Sequence, residues 1–192
     1  VRAAGTIGGN VANGSPIGDT PPALIAAGAT LILRHGRARR EIPLEDFFLD
    51  YRRQDRAPGE FVEALRLPLP AEPGRLRCHK LSKRFDQDIT AVLGCFDVAV
   101  EGGTVTAARL AYGGMAGVPK RARAAEAALI GRPLDEAAAR AAMEALAEDF
   151  APMTDQRASA AYRLTAARNL LLRDVIERTR PDIATRLDRP AA

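Results

Sequence analysis

Between Thr6 and Asp19 the chain reads Thr-Ile-Gly-Gly-Asn-Val-Ala-Asn-Gly-Ser-Pro-Ile-Gly-Asp. Adjacent Gly8 and Gly9 allow successive backbone N–H groups to face one concavity, an arrangement that suits phosphate oxygens. Thr6, Asn10, Asn13 and Ser15 add neutral donors, and Asp19 offers a carboxylate to polyol hydroxyls. The spacing matches neither a Walker nor a Rossmann pattern. By composition alone, a ligand loop and a plain glycine-rich surface loop are equally good readings. Lys80 closes a strand-like stretch, where a lysine taken by itself belongs in solvent.

Metal and thiol chemistry find little support. Cys78 and Cys95 form no C-x-x-C pair and are too few for a four-ligand site. Both fall in strand-like stretches, where a free cysteine behaves as a small apolar residue. His35 and His79 lie far apart, so no metal site is expected from this chain.

The elements that must position these residues read as α+β, with strands leading and helices closing. Val1 to Gly18 has no periodicity and is expected to be a loop. Asp19 or Thr20 caps a short helix from Ala23 to Ala27, with prolines at its first turn and Gly28 as its stop. Strands are expected at 30–33, 40–44 and 61–67, with an aromatic turn at 47–53 packed on the core. Pro68 to Gly74 holds three prolines in seven residues and marks a subdomain boundary. Strands at 75–83 and 91–100 follow, then a hairpin on Gly102-Gly103, since such turns need positive φ. Helices are expected at 122–130, from an Asp135 cap to about Glu148, and at 157–178. Leu164, Ala167, Leu171 and Val175 form a core stripe on the last of these. The organisation predicted is 1–70, 71–180 and a fraying tail at 181–192.

Composition excludes several classes. Among 192 residues, 47% are hydrophobic and 27% charged, an ordinary globular balance. No apolar run reaches the roughly 20 residues of a membrane span, and no signal peptide is evident, so the cytoplasm is expected. The net charge is +4, but arginine is interspersed with carboxylates. The one dense basic run, Arg34 to Arg40, lacks interleaved aromatics, so nucleic acid is not an expected partner. That run reads as a solvated turn between two strands. A chain starting at Val1 so close to a glycine-rich stretch suggests a missing upstream piece.

The order of these residues carries more than their composition. Thr-Ile-Gly-Gly-Asn followed by Ser-Pro-Ile-Gly-Asp resembles the flavin-binding signature of the molybdenum hydroxylase family, its xanthine dehydrogenase branch in particular. Phe47 to Arg52, Pro58 to Val62, His79 to Arg84 with Asp86 to Ile89, and Ala111 to Ala116 match further family motifs in the same order. The resemblance implies the second half of a PCMH-type FAD-binding domain, followed by an α+β domain like the CO dehydrogenase flavoprotein C-terminal domain. It implies that Thr6, Ile7, Gly8, Gly9 and Asn10 cradle the FAD diphosphate, and that Asp19 binds ribityl or ribose hydroxyls. Val62 would pack on the flavin, and Lys80 would sit at the isoalloxazine ring, with Asp88 near its edge. Tyr51 would serve the nicotinamide side.

What the resemblance implies for function is a flavin module that passes electrons from iron–sulfur clusters through FAD to NAD+. Hypoxanthine or xanthine would be oxidised at a molybdenum site on a partner subunit. The 2Fe–2S clusters, the molybdopterin and an upstream FAD half-domain would lie outside this chain, in a hetero-oligomer, and the piece alone would be inactive. Two alternatives stand beside it: the flavin subunit of another molybdenum hydroxylase such as CO dehydrogenase or aldehyde oxidase, or chiefly a docking module.

Overall fold

The computed structural model describes residues 3–69, 72–84 and 86–185. Its first element departs from expectation. Ile7–Asn13 is a helix, α1, where a loop was expected. Thr6 caps it from an extended backbone, its Oγ1 accepting the Gly9 N–H at 3.0 Å, and Gly14 ends it at φ +61°. Two glycines each weaken a helix interior by about 1 kcal/mol, which is why no helix is legible locally. Tertiary contact outweighs that penalty: a Cβ on Gly8 would stand 3.3 Å from the Val62 carbonyl oxygen. Gly8 and Gly9 therefore form part of a first helical turn and not an open concavity.

Helix α2 (Thr20–Ala26) starts three residues earlier than its sequence suggests, with Pro21 and Pro22 in its first turn. Asp19 occupies its N-cap position but makes no side-chain cap bond. Leu24, Ile25 and Ala26 are buried, and Gly28 turns the chain at φ +75°.

Strands β1 (Thr30–His35) and β2 (Ala38–Pro43) form a hairpin around Gly36. Strand β5 (Phe61–Arg66) pairs antiparallel with the other edge of β1, giving the order β2-β1-β5. The central strand buries Leu31 and Leu33, while its basic flank is neutralised across the sheet. Arg34 and Arg39 bond Glu63, and Arg40 bonds Glu60 and Asp55. The aromatic turn resolves into helix α3 (Leu44–Phe47) and a small hairpin, β3 (Phe48–Asp50) with β4 (Arg53–Gln54). Phe47 and Phe48 are buried as expected of a core turn, whereas Leu49 and Tyr51 are exposed.

The second sheet has the order β6-β7-β8-β9: β6 (Leu76–Leu81), β7 (Val92–Glu101), β8 (Thr104–Gly113) and β9 (Lys120–Arg121). The β7–β8 turn has Gly102 and Gly103 both at positive φ, as its sequence requires. Alternation on β7 splits the core. Val92, Phe96 and Val98 join β8 residues Leu110 and Tyr112 under the closing helices. Leu93, Cys95 and Ala111 face α2 and β1. The sheet is thus a wall shared by two hydrophobic clusters, and β6 is one of its two edge strands. Glu45 bridges the halves, accepting from Arg109 at 2.9 Å and from Arg121 at 3.0 Å.

Helices α4 (Arg123–Leu129), α5 (Glu136–Asp149) and α6 (Ala160–Thr179) close the chain. Asp135 caps α5 through the Ala138 N–H, as expected; α6 begins three residues late, capped by Ser159. The α6 stripe buries Ala167, Leu171 and Val175, with Leu164 half-buried beside them. It also buries two charged residues, Arg163 and Asp174. The expected boundary at 70/71 and residues 186–192 of the expected tail lie outside the described residues. No helix among the described residues is long and apolar enough to cross a membrane.

Candidate functional site

Strand β6 alternates, so His79 and Lys80 point to opposite faces of the sheet. On the outer face, Lys80 Nζ donates to Asp19 Oδ2 at 2.7 Å and to the Asp88 carbonyl oxygen at 2.9 Å. The second Asp19 oxygen accepts the Thr90 hydroxyl in a short hydrogen bond. Two distant residues, Lys80 and Thr90, therefore meet on one carboxylate. The Asp19 and Lys80 side chains remain 49% and 36% exposed, so the pair faces solvent. Thr90, which is buried, was not legible as a site residue, because nothing in its neighbourhood distinguishes it from a strand-entry threonine.

Asp88 plays a different part from the one its charge suggests. Its carboxylate accepts the Arg84 and Ile89 N–H groups at 2.8 and 2.9 Å. Those backbone donors, the Arg84 N–H foremost, hold it below the usual carboxylate range, with the Arg84 side chain adding to the effect. The carboxylate thus ties its own loop, and only the main-chain oxygen reaches Lys80.

Thr6, Ile7, Gly8, Gly9 and Asn10 form the start of α1, which lies on β5 with Gly8 against Val62. Ile7 is exposed, and so are Gly9 and Asn10. Residues 14–18 lead from this group to Asp19, and the Gly114 N–H fastens the Pro16 carbonyl at 2.8 Å. Beyond that fastening lies a mainly apolar cleft of about 450 Å³ lined by Ile17, Tyr51, Ala116, Met153 and Arg163 among others.

Arg163 organises the floor of that cleft. Its Nη1 donates to the Ala91 and Gly114 carbonyls at 2.5 and 2.9 Å, and its Nη2 to Asp155 at 2.7 Å. Burial pushes the Asp155 carboxyl upward, but Arg163 and the Ala158 and Arg157 N–H groups outweigh it, holding the group at about 2. On the inner face of β6, His79 Nε2 lies 3.1 Å from Asp174 Oδ1, and Arg178 Nε donates to Asp174 Oδ2 at 2.6 Å. This buried set pins β6 to α6. One signal for Arg163 was present: it stands four residues before Ala167, on the helix's apolar stripe.

Two family models match this chain. The FAD binding domain in molybdopterin dehydrogenase covers residues 1–70, and the CO dehydrogenase flavoprotein C-terminal domain covers residues 77–177. Xanthine dehydrogenase of Emericella nidulans is 38% identical over 78% of this chain and 11% of its own length. The carbon monoxide dehydrogenase medium chain of Afipia carboxidovorans is 32% identical over 94% of this chain and 62% of its own. Among solved structures, carbon monoxide dehydrogenase from Hydrogenophaga pseudoflava, lacking the Mo-pyranopterin moiety of its cofactor, superposes with a TM-score of 0.84 at 32% identity. That match covers 90% of this chain and 60% of the other. The chain thus spans about three fifths of the medium chain and about a tenth of the xanthine dehydrogenase. With its fold, its two matched models and these relatives in agreement, the chain belongs to the CO dehydrogenase flavoprotein C-terminal domain family, joined to the FAD-binding domain of the molybdopterin dehydrogenases.

Proposed function

We propose that this chain supplies one wall of an FAD site in a cytoplasmic molybdenum hydroxylase that oxidises hypoxanthine or xanthine and reduces NAD+. The observation that carries this reading is the meeting of Lys80 and Thr90 on the two oxygens of Asp19, with the Asp88 carbonyl oxygen holding Lys80 from its other side. The chemistry FAD supplies when bound is acceptance of electrons from iron–sulfur clusters and their release as hydride.

The residues of the cluster fit such a group. Lys80 sets a fixed positive charge beside the ring, where negative charge on reduced flavin is stabilised. Asp19 uses one lone pair on Lys80 and one on Thr90; a carboxylate has about four, which leaves acceptors for ribityl or ribose hydroxyls. Asp88 ties down the Arg84 and Ile89 main chain, so that Lys80 keeps its aim. The exposed start of α1, Thr6 to Asn10, serves the diphosphate, and Val62 packs on the flavin. Tyr51 and the cleft beside it receive the nicotinamide acceptor.

Likeness to a protein named a medium chain supports assembly with a molybdenum-bearing large subunit and an iron–sulfur partner. The same likeness favours a second reading, in which the substrate is carbon monoxide and only the flavin wall is shared. Turnover of the full-length assembly on xanthine, hypoxanthine and carbon monoxide, followed through NADH, separates the two. A full-length protein without flavin absorbance would overturn both, as would Lys80→Ala with unaltered flavin reduction.

A further inference from the structure

Two residues before Lys80, Cys78 lies directly opposite Cys95 in the antiparallel register of β6 and β7. Opposed residues on antiparallel strands project from the same face, with Cα atoms about 4.5–5.5 Å apart. That separation falls inside the window of about 4.4–6.8 Å that disulfides adopt. The two cysteines are free, and their surroundings differ sharply: Cys78 is exposed, whereas Cys95 is fully buried under α2.

We propose that Cys78 and Cys95 are a peroxide-sensitive dithiol, a modification site that closes to an intrachain disulfide. The division of labour follows from the environment. The Cys95 thiol opposite it lowers the Cys78 pKa, favouring thiolate on the exposed sulfur. The same contact, together with burial and the nearby Asp19 carboxylate, raises the Cys95 thiol and keeps it protonated. Exposure makes Cys78 the sulfur that peroxide reaches first and buried Cys95 the resolving one.

The thiolate of Cys78 attacks one oxygen of hydrogen peroxide; the O–O bond breaks, and hydroxide leaves to become water on taking a proton. Cys78 is then a sulfenic acid. The sulfur of Cys95 attacks it, the S–O bond breaks, and the departing hydroxide takes the Cys95 proton as a second water. Two thiols lose two electrons, and one peroxide is reduced to two waters. The new covalent tie sits two register pairs from Lys80–Leu93, on the same face of the sheet, and Lys80 carries the bond to Asp19. The proposal stands whether or not FAD is the ligand of that bond.

The test uses the full-length protein, reduced and then treated with hydrogen peroxide, alkylated, and mapped without reductant. The expected result is a linked peptide pair joining Cys78 to Cys95, with both thiols lost to alkylation and both restored by dithiothreitol. Cys78→Ser should leave Cys95 fully alkylated after peroxide. Cys95→Ala should stop at a dimedone-trappable sulfenic acid on Cys78. The wild-type map needs neither variant to fold. Cys78 still fully alkylated after peroxide would overturn the proposal; so would Cys78 oxidised to sulfinic acid while Cys95 remains free.

Discussion

Lys80 and Asp19 are separated by 61 residues, yet Lys80 Nζ donates to Asp19 Oδ2 at 2.7 Å. The bond is made at the expense of a local one. Asp19 stands at the N-cap position of α2 without capping it, an interaction ordinarily worth about 1 kcal/mol. A carboxylate that leaves its own helix uncapped and meets a distant, solvent-facing lysine fits the flavin role proposed for the pair.

Replacing Lys80 with Met should therefore separate binding from stability. Exposed ion pairs contribute about 0–1 kcal/mol, so the unfolding midpoint in urea should barely move. A lost charge-assisted hydrogen bond of about 1.5–3 kcal/mol should weaken FAD binding roughly tenfold to a hundredfold. Flavin fluorescence titration of the full-length protein measures it. An unchanged Kd for FAD with a large loss of stability would reverse the assignment.

Gly114 is the position where a methyl group should do most harm. Its φ is +79°, and a Cβ would stand 2.3 Å from the Ala91 carbonyl oxygen and 3.0 Å from Arg163 Nη1. Backbone strain of this kind costs about 1–3 kcal/mol before any clash is counted. Gly114→Ala should lower stability by at least that much in chemical denaturation, whereas Gly36→Ala, at similar φ but in open space, should carry the strain alone.

Asp174→Ala leaves His79 and Arg178 facing an empty buried position. Breaking a buried charged network by removing one partner costs roughly 3–5 kcal/mol. Beyond lost stability, β6 should loosen from α6, and amide exchange at Leu76–Leu81 should speed up relative to β8. Equal protection of both strands in the variant would show that Asp174 does not anchor β6.

Stability should fall on acidification from about pH 4 toward about pH 2. Glu60, Asp155 and Glu177 are each held at about 2. The Arg40 guanidinium is the main cause for Glu60. For Asp155 and Glu177, burial pushes upward but is outweighed, for Asp155 by Arg163 and for Glu177 by the Thr185 hydroxyl and Arg173. In the unfolded chain such groups titrate near about 4, so folding depresses them. Their contribution is complete above the unfolded value and disappears as pH falls through the folded one. Melting temperatures across this window should drop less steeply for Glu60→Gln than for the parent protein.

Much of the architecture was legible because its causes are local. Positive φ at Gly102 and Gly103 turned β7 into β8, and Asp135 capped α5 through its own side chain, each within a few residues of its signal. The ordered motifs around Thr6–Asp19 and Lys80 likewise identified the family from residue order alone. Helix α1 was hidden, since two glycines argue against a helix, and only the folded chain shows Val62 crowding Gly8 and the capping Thr6 hydroxyl crowding Gly9.

The sequence by itself therefore determined the elements whose driving forces act over one turn, and the family to which their order belongs. Tertiary structure alone decided what acts across the chain. It buried Arg163 and Asp174 in a stripe that reads as apolar, because each finds its partner on another segment. It set Cys78 opposite Cys95 by strand register, and it brought Lys80 and Thr90 to the two oxygens of Asp19. Long-range hydrogen bonds leave no periodic trace in a sequence, since each depends on how two separately formed elements pack.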